Sequence, residues 1–246
     1  NQRTSRCGPR NPGSGFPAAK RRPMVFRAPN SGPTAWIAKK GARQVNAIGG
    51  RSCPMRELRF HGRGGQGTVV ASKLLAVALF LEGREVQSFP MFGVERRGAP
   101  VTAFLRMDDE PIRLRCEILN PDDLIVLDPT LVGAVDVTGG LKPGGTILLN
   151  SDRPPAAFPH LLERFRLVTV DASGIATRHG LGSHTQPIVN TAILGAFAVS
   201  SGLVRLESVR EAIRQEVPTY AEANVKAATA AAHAMQDALD REAASV

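Results

Sequence analysis

The residues best placed to do chemistry fall in two short runs. The first is His61-Gly62-Arg63-Gly64-Gly65-Gln66-Gly67, which carries the spacing G-x-G-x-x-G through Gly62, Gly64 and Gly67. Glycines let the backbone take positive φ and let a ligand approach closely, and free N–H groups at a helix start attract an anion. The second run is Pro90-Met91-Phe92-Gly93-Val94-Glu95-Arg96-Arg97-Gly98-Ala99-Pro100. Two adjacent arginines beside Glu95, bracketed by Gly and Pro, make a charged loop suited to a phosphate or to a partner subunit.

Each run has a plainer reading. The glycines of the first can serve only tight helix–sheet packing, and the second can be a solvated loop. A dinucleotide site also requires a carboxylate at the end of the following strand, to hold a ribose. That strand ends Gln87-Ser88-Phe89, while Glu82 and Glu85 lie at its other end. Nor is the turn a P-loop, since Gly67-Thr68 lacks the preceding Lys. We therefore assign to Arg63, Gly64, Gly65, Gln66 and Gly67, and to Glu95, Arg96 and Arg97, either an anion contact or a subunit contact. No catalytic residue and no metal ligand is assigned.

Other candidates are weaker. The histidines His61, His160, His179, His184 and His233 show no metal-ligand spacing, and no G-x-S-x-G elbow is present. Asp128 ends an apolar run, where capping the next turn is its expected role. Ser183, His184, Thr185 and Gln186 precede an apolar helix and read first as helix-entry hydrogen bonding, with a cleft role as the alternative.

The elements that must position these residues follow from periodicity. Leu58 and Phe60 lead into the Gly-rich turn as a strand. Val70, Ala71, Leu74, Leu75, Ala78 and Leu79 recur at helical spacing, with Gly83 at the expected C-terminal cap. Residues 85–89 read as the next strand, giving a parallel crossover unit. Residues 101–107 and 112–116 flank Asp108-Asp109-Glu110-Pro111 and predict an antiparallel hairpin. Residues 124–127, 146–149 and 167–170 are short apolar strands, the last ended by Asp171. Helices are expected over 190–201, 206–217 and 221–241, with Gly202 and Pro218 as stops. The predicted fold is a single-domain α/β protein, an open, mostly parallel sheet with an antiparallel hairpin and flanking helices.

The chain has 246 residues, 43% of them hydrophobic and 22% charged, enough for one core of that size. Its net charge of +9 is uneven. Residues 1–54 hold eleven Lys or Arg and no acid, so the remaining 192 residues hold 20 basic against 22 acidic side chains. The basicity therefore belongs to the tail, and nucleic acid is not an expected partner of the body. Residues 1–54 also carry seven Pro and seven Gly without periodicity, and they read as a disordered basic extension. An upstream start with Met55 opening the body, an organelle transit segment, or a functional basic tail each account for it. Residues 55–246 form the folded domain. Cys7, Cys53 and Cys116 provide no C-x-x-C pair, so a disulfide framework is excluded and any iron–sulfur cluster belongs to a partner. No apolar run reaches the ~18–20 residues of a membrane span, and a continuous apolar signal region is missing, so a cytoplasmic location without membrane contact is expected.

Three ordered blocks give the sequence a resemblance. They are residues 59–67, residues 92–100, and Pro187-Ile188-Val189-Asn190-Thr191-Ala192 with Leu194-Gly195-Ala196-Phe197. Together they resemble the gamma subunit of 2-oxoacid:ferredoxin oxidoreductases over residues 55–235. Glu95-Arg96-Arg97-Gly98-Ala99-Pro100 looks like the pyruvate type, whereas 2-oxoglutarate-type relatives more often carry Tyr-Gly-Pro-Glu and Arg-Gly-Gly there. Val94 stands where a Pro is common.

The resemblance implies a multi-subunit enzyme converting pyruvate, CoA and oxidised ferredoxin to acetyl-CoA, CO2 and reduced ferredoxin. It implies alpha, beta and delta partner subunits, which hold thiamine diphosphate, Mg2+ and [4Fe-4S] clusters. This chain would bind none of these cofactors alone and would be inactive alone. It would dock near the active site and help place CoA. An equivalent subunit for 2-oxoisovalerate, 2-oxoglutarate or indolepyruvate is the alternative, and a stand-alone nucleotide-binding Rossmann-like protein is a more distant one.

Overall fold

In the computed structural model the described residues are 36–38, 55–91 and 98–244. The elements are β1 (Trp36–Ala38), β2 (Arg56–Arg63), α1 (Thr68–Leu81), β3 (Glu85–Pro90), β4 (Pro100–Asp108), β5 (Asp123–Val126), α2 (Leu131–Ala134) and β6 (Thr146–Asn150). After a 3-10 turn at Pro155–Ala157 follow α3 (Pro159–Leu162), β7 (Arg166–Val170), α4 (Ala172–Arg178), β8 (Gly182–Ser183), β9 (Gln186–Pro187), α5 (Asn190–Ser201), α6 (Leu206–Glu216) and α7 (Ala221–Ala244).

Among the described residues one seven-stranded sheet has the order β1-β3-β4-β2-β5-β6-β7, and β8 pairs with β9 separately. The pairs β2/β5, β5/β6 and β6/β7 are parallel, and the pairs β1/β3, β3/β4 and β4/β2 are antiparallel. Since β4 runs against both of its neighbours, β2 and β3 point the same way. The expected crossover through α1 is therefore present, with β4 inserted between its two strands.

Period-2 alternation divides the buried strand residues between two faces. Leu58, Phe60, Leu105, Met107, Ile125, Leu148 and Val168 pack with α1, α5, α6 and α7 in one core. Leu124, Val126, Ile147, Leu149 and Leu167 face the other way, with Leu141, Leu161 and Phe165. The C-terminal strands are thus buried on both faces, which is why they read as continuous apolar runs. The α5 helix is enclosed nearly all round, as its sequence predicts, and Gly202 at φ 64 ends it. Gly195 brings α5 against α7, because a Cβ there would run into the Ala228 carbonyl oxygen.

Two sequence expectations are corrected. Residues 112–116 form no strand and are mostly exposed. Both edges of β4 are already hydrogen-bonded, to β2 and to β3, so the antiparallel pairing sits there instead. Within the extension, Trp36–Ala38 departs from the disordered reading and pairs with β3 in the register Trp36↔Ser88. The rest of residues 1–54 lies outside the described residues.

Candidate functional site

The chain leaves β2 through α1 toward β3, on one side of the sheet order, and leaves β5 toward β6 on the other. These connections also cover opposite faces: α1 lies in the larger core, while Val132 and Leu141 pack in the smaller one. The crevice beyond the carboxyl ends of β2 and β5 is therefore a topological switch point, the position where open α/β sheets take ligands. The Gly-rich turn follows β2 there, and Asp128 follows β5.

A cleft of about 510 Å³ opens at this point. Its walls come from Arg63, Gly64, Gly65 and Gln66, from Gly98 and Asp128, and from the 182–188 segment holding the β8–β9 hairpin. Ser183, Thr185 and Gln186 thus line the cleft, and their helix-entry reading is corrected. Gln186 N donates to Ser183 Oγ, Ser183 Oγ and Thr185 Oγ1 are hydrogen-bonded, and Val189 begins α5 without a side-chain cap.

Asp128 organises the cleft floor. It accepts from Gln66 Nε2 at 2.8 Å, from Thr130 N at 2.9 Å and from Thr130 Oγ1 at 2.6 Å, and lies 3.2 Å from Arg63 Nε. Burial alone would raise its pKa; the Thr130 and Gln66 hydrogen bonds and the Arg63 charge outweigh that and hold it below the usual carboxylate value. Arg63 also donates to Thr130 Oγ1 at 2.8 Å and to the Gly98 carbonyl at 3.1 Å. It is a clamped cation whose charge is offset by Asp128. The capping role expected of Asp128 is present through Thr130 N, and it extends to holding the Gly-rich turn.

The glycines divide between the two readings. A Cβ on Gly62 would meet Thr68 Oγ1, and one on Gly67 would lie 2.7 Å from Asn190 Nδ2, so both serve packing, with Gly67 also at φ 81. Gly65, at φ 101, has nothing within 4 Å of a Cβ position and borders the cleft. The start of α1 carries no side-chain cap and no acidic residue in its first turn. Thr68 Oγ1, buried beside it, has no hydrogen-bond partner. This end of the helix keeps its partial positive charge, which suits an anion.

Glu95, Arg96 and Arg97 lie outside the described residues, but the ends of their loop are placed. Met91 N donates to Thr102 O, Gly98 N donates to Gly64 O, and Gly64 N donates to Ala99 O. The connector therefore leaves and rejoins the sheet at the rim of the Gly-rich turn.

On the other face of β2 two polar groups were not legible as site features. His61 is nearly buried and its Nε2 accepts from Arg59 Nε at 3.0 Å. Burial first, then the Arg59 charge, push its pKa down to about 4, against the attraction of Asp136. Arg106, 1% exposed, pairs with Glu57 at 2.7 Å and donates to Gln87 Oε1 and Glu117 O. Cys116 Sγ lies 3.7 Å from Arg106 Nη2. Among the described residues no group of three His, Cys, Asp or Glu comes together, and no helix is long and apolar enough to cross a membrane.

Fold and site define a class: an open α/β domain with a polar cleft at its switch point and a clamped arginine beside a Gly-rich turn. Residues 57–234 match the family described as pyruvate ferredoxin/flavodoxin oxidoreductase. The chain belongs to that family. It is 54% identical over 177 residues to the common gamma subunit of pyruvate/ketoisovalerate oxidoreductases from Thermococcus kodakarensis, covering 71% of this chain and 94% of that protein. It is 51% identical over 164 residues to the pyruvate synthase subunit PorC of Methanothermobacter marburgensis, covering 67% of this chain and 88% of that one. The crystal structure of the pyruvate oxidoreductase subunit PORC from Thermotoga maritima superposes with a TM-score of 0.61 at 33% identity, over 73% of this chain and 96% of that one.

Proposed function

We propose that the chain is the gamma-type subunit of a cytoplasmic, multi-subunit 2-oxoacid:ferredoxin oxidoreductase of the pyruvate synthase type. Its family and its gamma-subunit relatives support the complex. The observation that carries a role for this chain is the convergence of the Gly-rich turn, Asp128 and the β8–β9 hairpin on one cleft.

The chain's residues do not fit the redox cofactors. Cys116 is the single cysteine of residues 55–246 and is engaged by Arg106, and the sequence has no Gly-Asp-Gly diphosphate motif. Thiamine diphosphate with Mg2+ and the [4Fe-4S] clusters belong, in this reading, to alpha, beta and delta partners, which pass electrons to ferredoxin. The complex converts pyruvate and CoA to acetyl-CoA and CO2, with the two electrons leaving one at a time.

The cleft's part is to hold the phosphates of CoA. Anion contacts come from the Gly65 amide and from the uncapped start of α1, with Arg63 held in place by Asp128 and Thr130. Arg96 and Arg97, in the connector that rejoins the sheet at Gly98, contact CoA or the thiamine-binding subunit. None of these groups moves a proton or forms a bond with the substrate; they position it.

The relative from Thermococcus kodakarensis is named as common to pyruvate and ketoisovalerate oxidoreductases. That supports a subunit which does not select the oxoacid, so an enzyme acting on 2-oxoisovalerate is the second reading. Arg97→Ala in the assembled enzyme tests the proposal. It raises the KM for CoA or weakens assembly; unchanged CoA kinetics in an intact complex would remove Arg97 from both roles.

A further inference from the structure

The segment between β4 and β5 is tied down at both ends and open in its middle. At one end the Asp108 carboxylate accepts from Asp109 N and Glu110 N, and Arg84 pairs with Asp109 at 2.6 Å. At the other, Ile118 is buried, and Arg106 Nη2 donates to the Glu117 carbonyl at 3.3 Å. Between these anchors Ile112-Arg113-Leu114-Arg115-Cys116 forms neither helix nor strand. No backbone group of residues 112–116 is hydrogen-bonded to another described residue.

The residue types do not suit a surface loop. Ile112, Leu114 and Cys116 alternate with Arg113 and Arg115, which is the period of a strand, yet Arg113, Leu114, Arg115 and Cys116 all stand exposed. Leu114 is 43% exposed, and Leu119, just past the second anchor, is 70% exposed. The preceding strand, β4, cannot take the segment, because β2 and β3 already fill both of its edges. A row of open N–H and C=O groups beside exposed apolar side chains is a template for strand addition.

We propose that residues 112–116 are a docking strand that adds to the sheet edge of a partner subunit, whose own strand sets Asp or Glu opposite Arg113 and Arg115. This rests on the reading of the chain as one subunit of a complex. Charge selects the occupant. Antiparallel pairing with a second copy about Leu114 would place Arg113 of each copy against Arg115 of the other, and like charges directly opposite repel. Residues 1–54 of this chain hold eleven basic side chains and no acid, so they are unsuited for the same reason. An acidic strand turns both arginines into cross-strand pairs, while main-chain hydrogen bonds supply the affinity. The two anchors hold the segment in place before the partner arrives, which lowers the ordering cost of binding.

The test is hydrogen exchange on the full chain alone and in the assembled complex. The amides of residues 112–116 exchange fast in the chain alone and slow by roughly a hundred-fold or more on assembly. Leu114→Pro and Arg115→Pro locate the new hydrogen bonds. Successive N–H groups of a strand point to opposite edges, so one of the two faces the partner and its loss weakens assembly. The melting temperature of the chain alone stays the same in both, because neither N–H is bonded there. Arg113→Glu with Arg115→Glu raises the dissociation constant of the complex by roughly ten-fold or more, and Arg113→Lys with Arg115→Lys retains it. Equal exchange in the two states overturns the docking strand. So does protection already present in the chain alone, which would mean an occupant from this chain or a second copy, and so does normal assembly by both proline variants. If assembly and CoA-dependent turnover are normal while residues 112–116 stay open, the subunit reading stands and the docking strand falls; if the chain joins no thiamine-bearing subunit, both fall.

Discussion

Gln66 Nε2 donates to Asp128 Oδ2 across 2.8 Å and ties the turn after β2 to the end of β5. The same Gln66 accepts from Arg63 N through Oε1 at 2.8 Å. One carboxylate therefore sets the position of the turn and of the arginine that borders the cleft.

Asp128→Asn removes the charge facing Arg63 and replaces an acceptor with a donor against Gln66 or Thr130. The expected cost is about 1–3 kcal/mol of stability, read as a lower urea midpoint, together with a higher KM for CoA in the complex. Because the folded pKa of Asp128 is lowered, its contribution is present above the ordinary Asp value and is lost as pH falls through the folded one. The wild-type chain loses this contribution below about pH 4, and the Asn variant does not.

His61 gives a pH dependence in a different window. Its folded pKa of about 4 lies below the ordinary 6.5, so the unfolded chain binds the proton more readily. Stability contributed by the neutral imidazole is complete above 6.5 and declines as pH falls to about 4, by roughly 3 kcal/mol in all. Denaturant titrations from pH 7 to pH 4 read this loss. A His61 ring that titrates near 6.5 by NMR in the folded chain would contradict it.

Arg106 is a buried cation on the interior strand β4, and Glu57 is its charged partner. Arg106→Leu leaves Glu57 facing an apolar side chain, at an expected cost of about 3–5 kcal/mol. Adding Glu57→Gln recovers part of that loss, since the stranded charge is then removed. A double-mutant cycle on the urea midpoint measures the coupling; additive effects would mean that the pair does not interact.

Gly195→Ala drives a methyl into the Ala228 carbonyl, so α5 and α7 must separate. The expected loss is about 1–3 kcal/mol. Gly133→Ala in α2 is the control, since a Cβ there meets nothing and helix propensity favours Ala. A thermal melt that ranks the two equally would rule out the close helix approach.

The helices were legible in the sequence because spacing and punctuation agreed. Leu74, Leu75 and Ala78 set the face of α1, Gly83 and Gly202 mark two ends, and Pro218 follows α6. Residues 112–116 misled because alternation states that a strand can form, whereas pairing depends on which strands occupy the edges of β4, here β2 and β3. Nothing local announces a hairpin as short as β8–β9, so the cleft role of Ser183, Thr185 and Gln186 could not be separated from capping. The α4 helix did leave a signal: Asp171 accepts from Gly174 N at 2.7 Å as its N-cap. Arg106 was invisible for a physical reason, since a charge at an alternating strand position reads as solvent-facing until a loop such as that bearing Glu117 closes over it. For the glycines, a motif cannot say which member packs and which opens to a ligand. The packing around Gly62, Gly65 and Gly67 does.

Reconstitution of the complex shows whether this chain serves a cofactor held by its partners. Pyruvate-dependent ferredoxin reduction is measured for this chain alone, for the thiamine- and cluster-bearing subunits alone, and for the two combined. No turnover is expected from the isolated chain and CoA-dependent acetyl-CoA formation on combination, with the partners alone showing a much higher KM for CoA. Oxidation of pyruvate by this chain without companions, or partners whose CoA kinetics are the same in its absence, would contradict it.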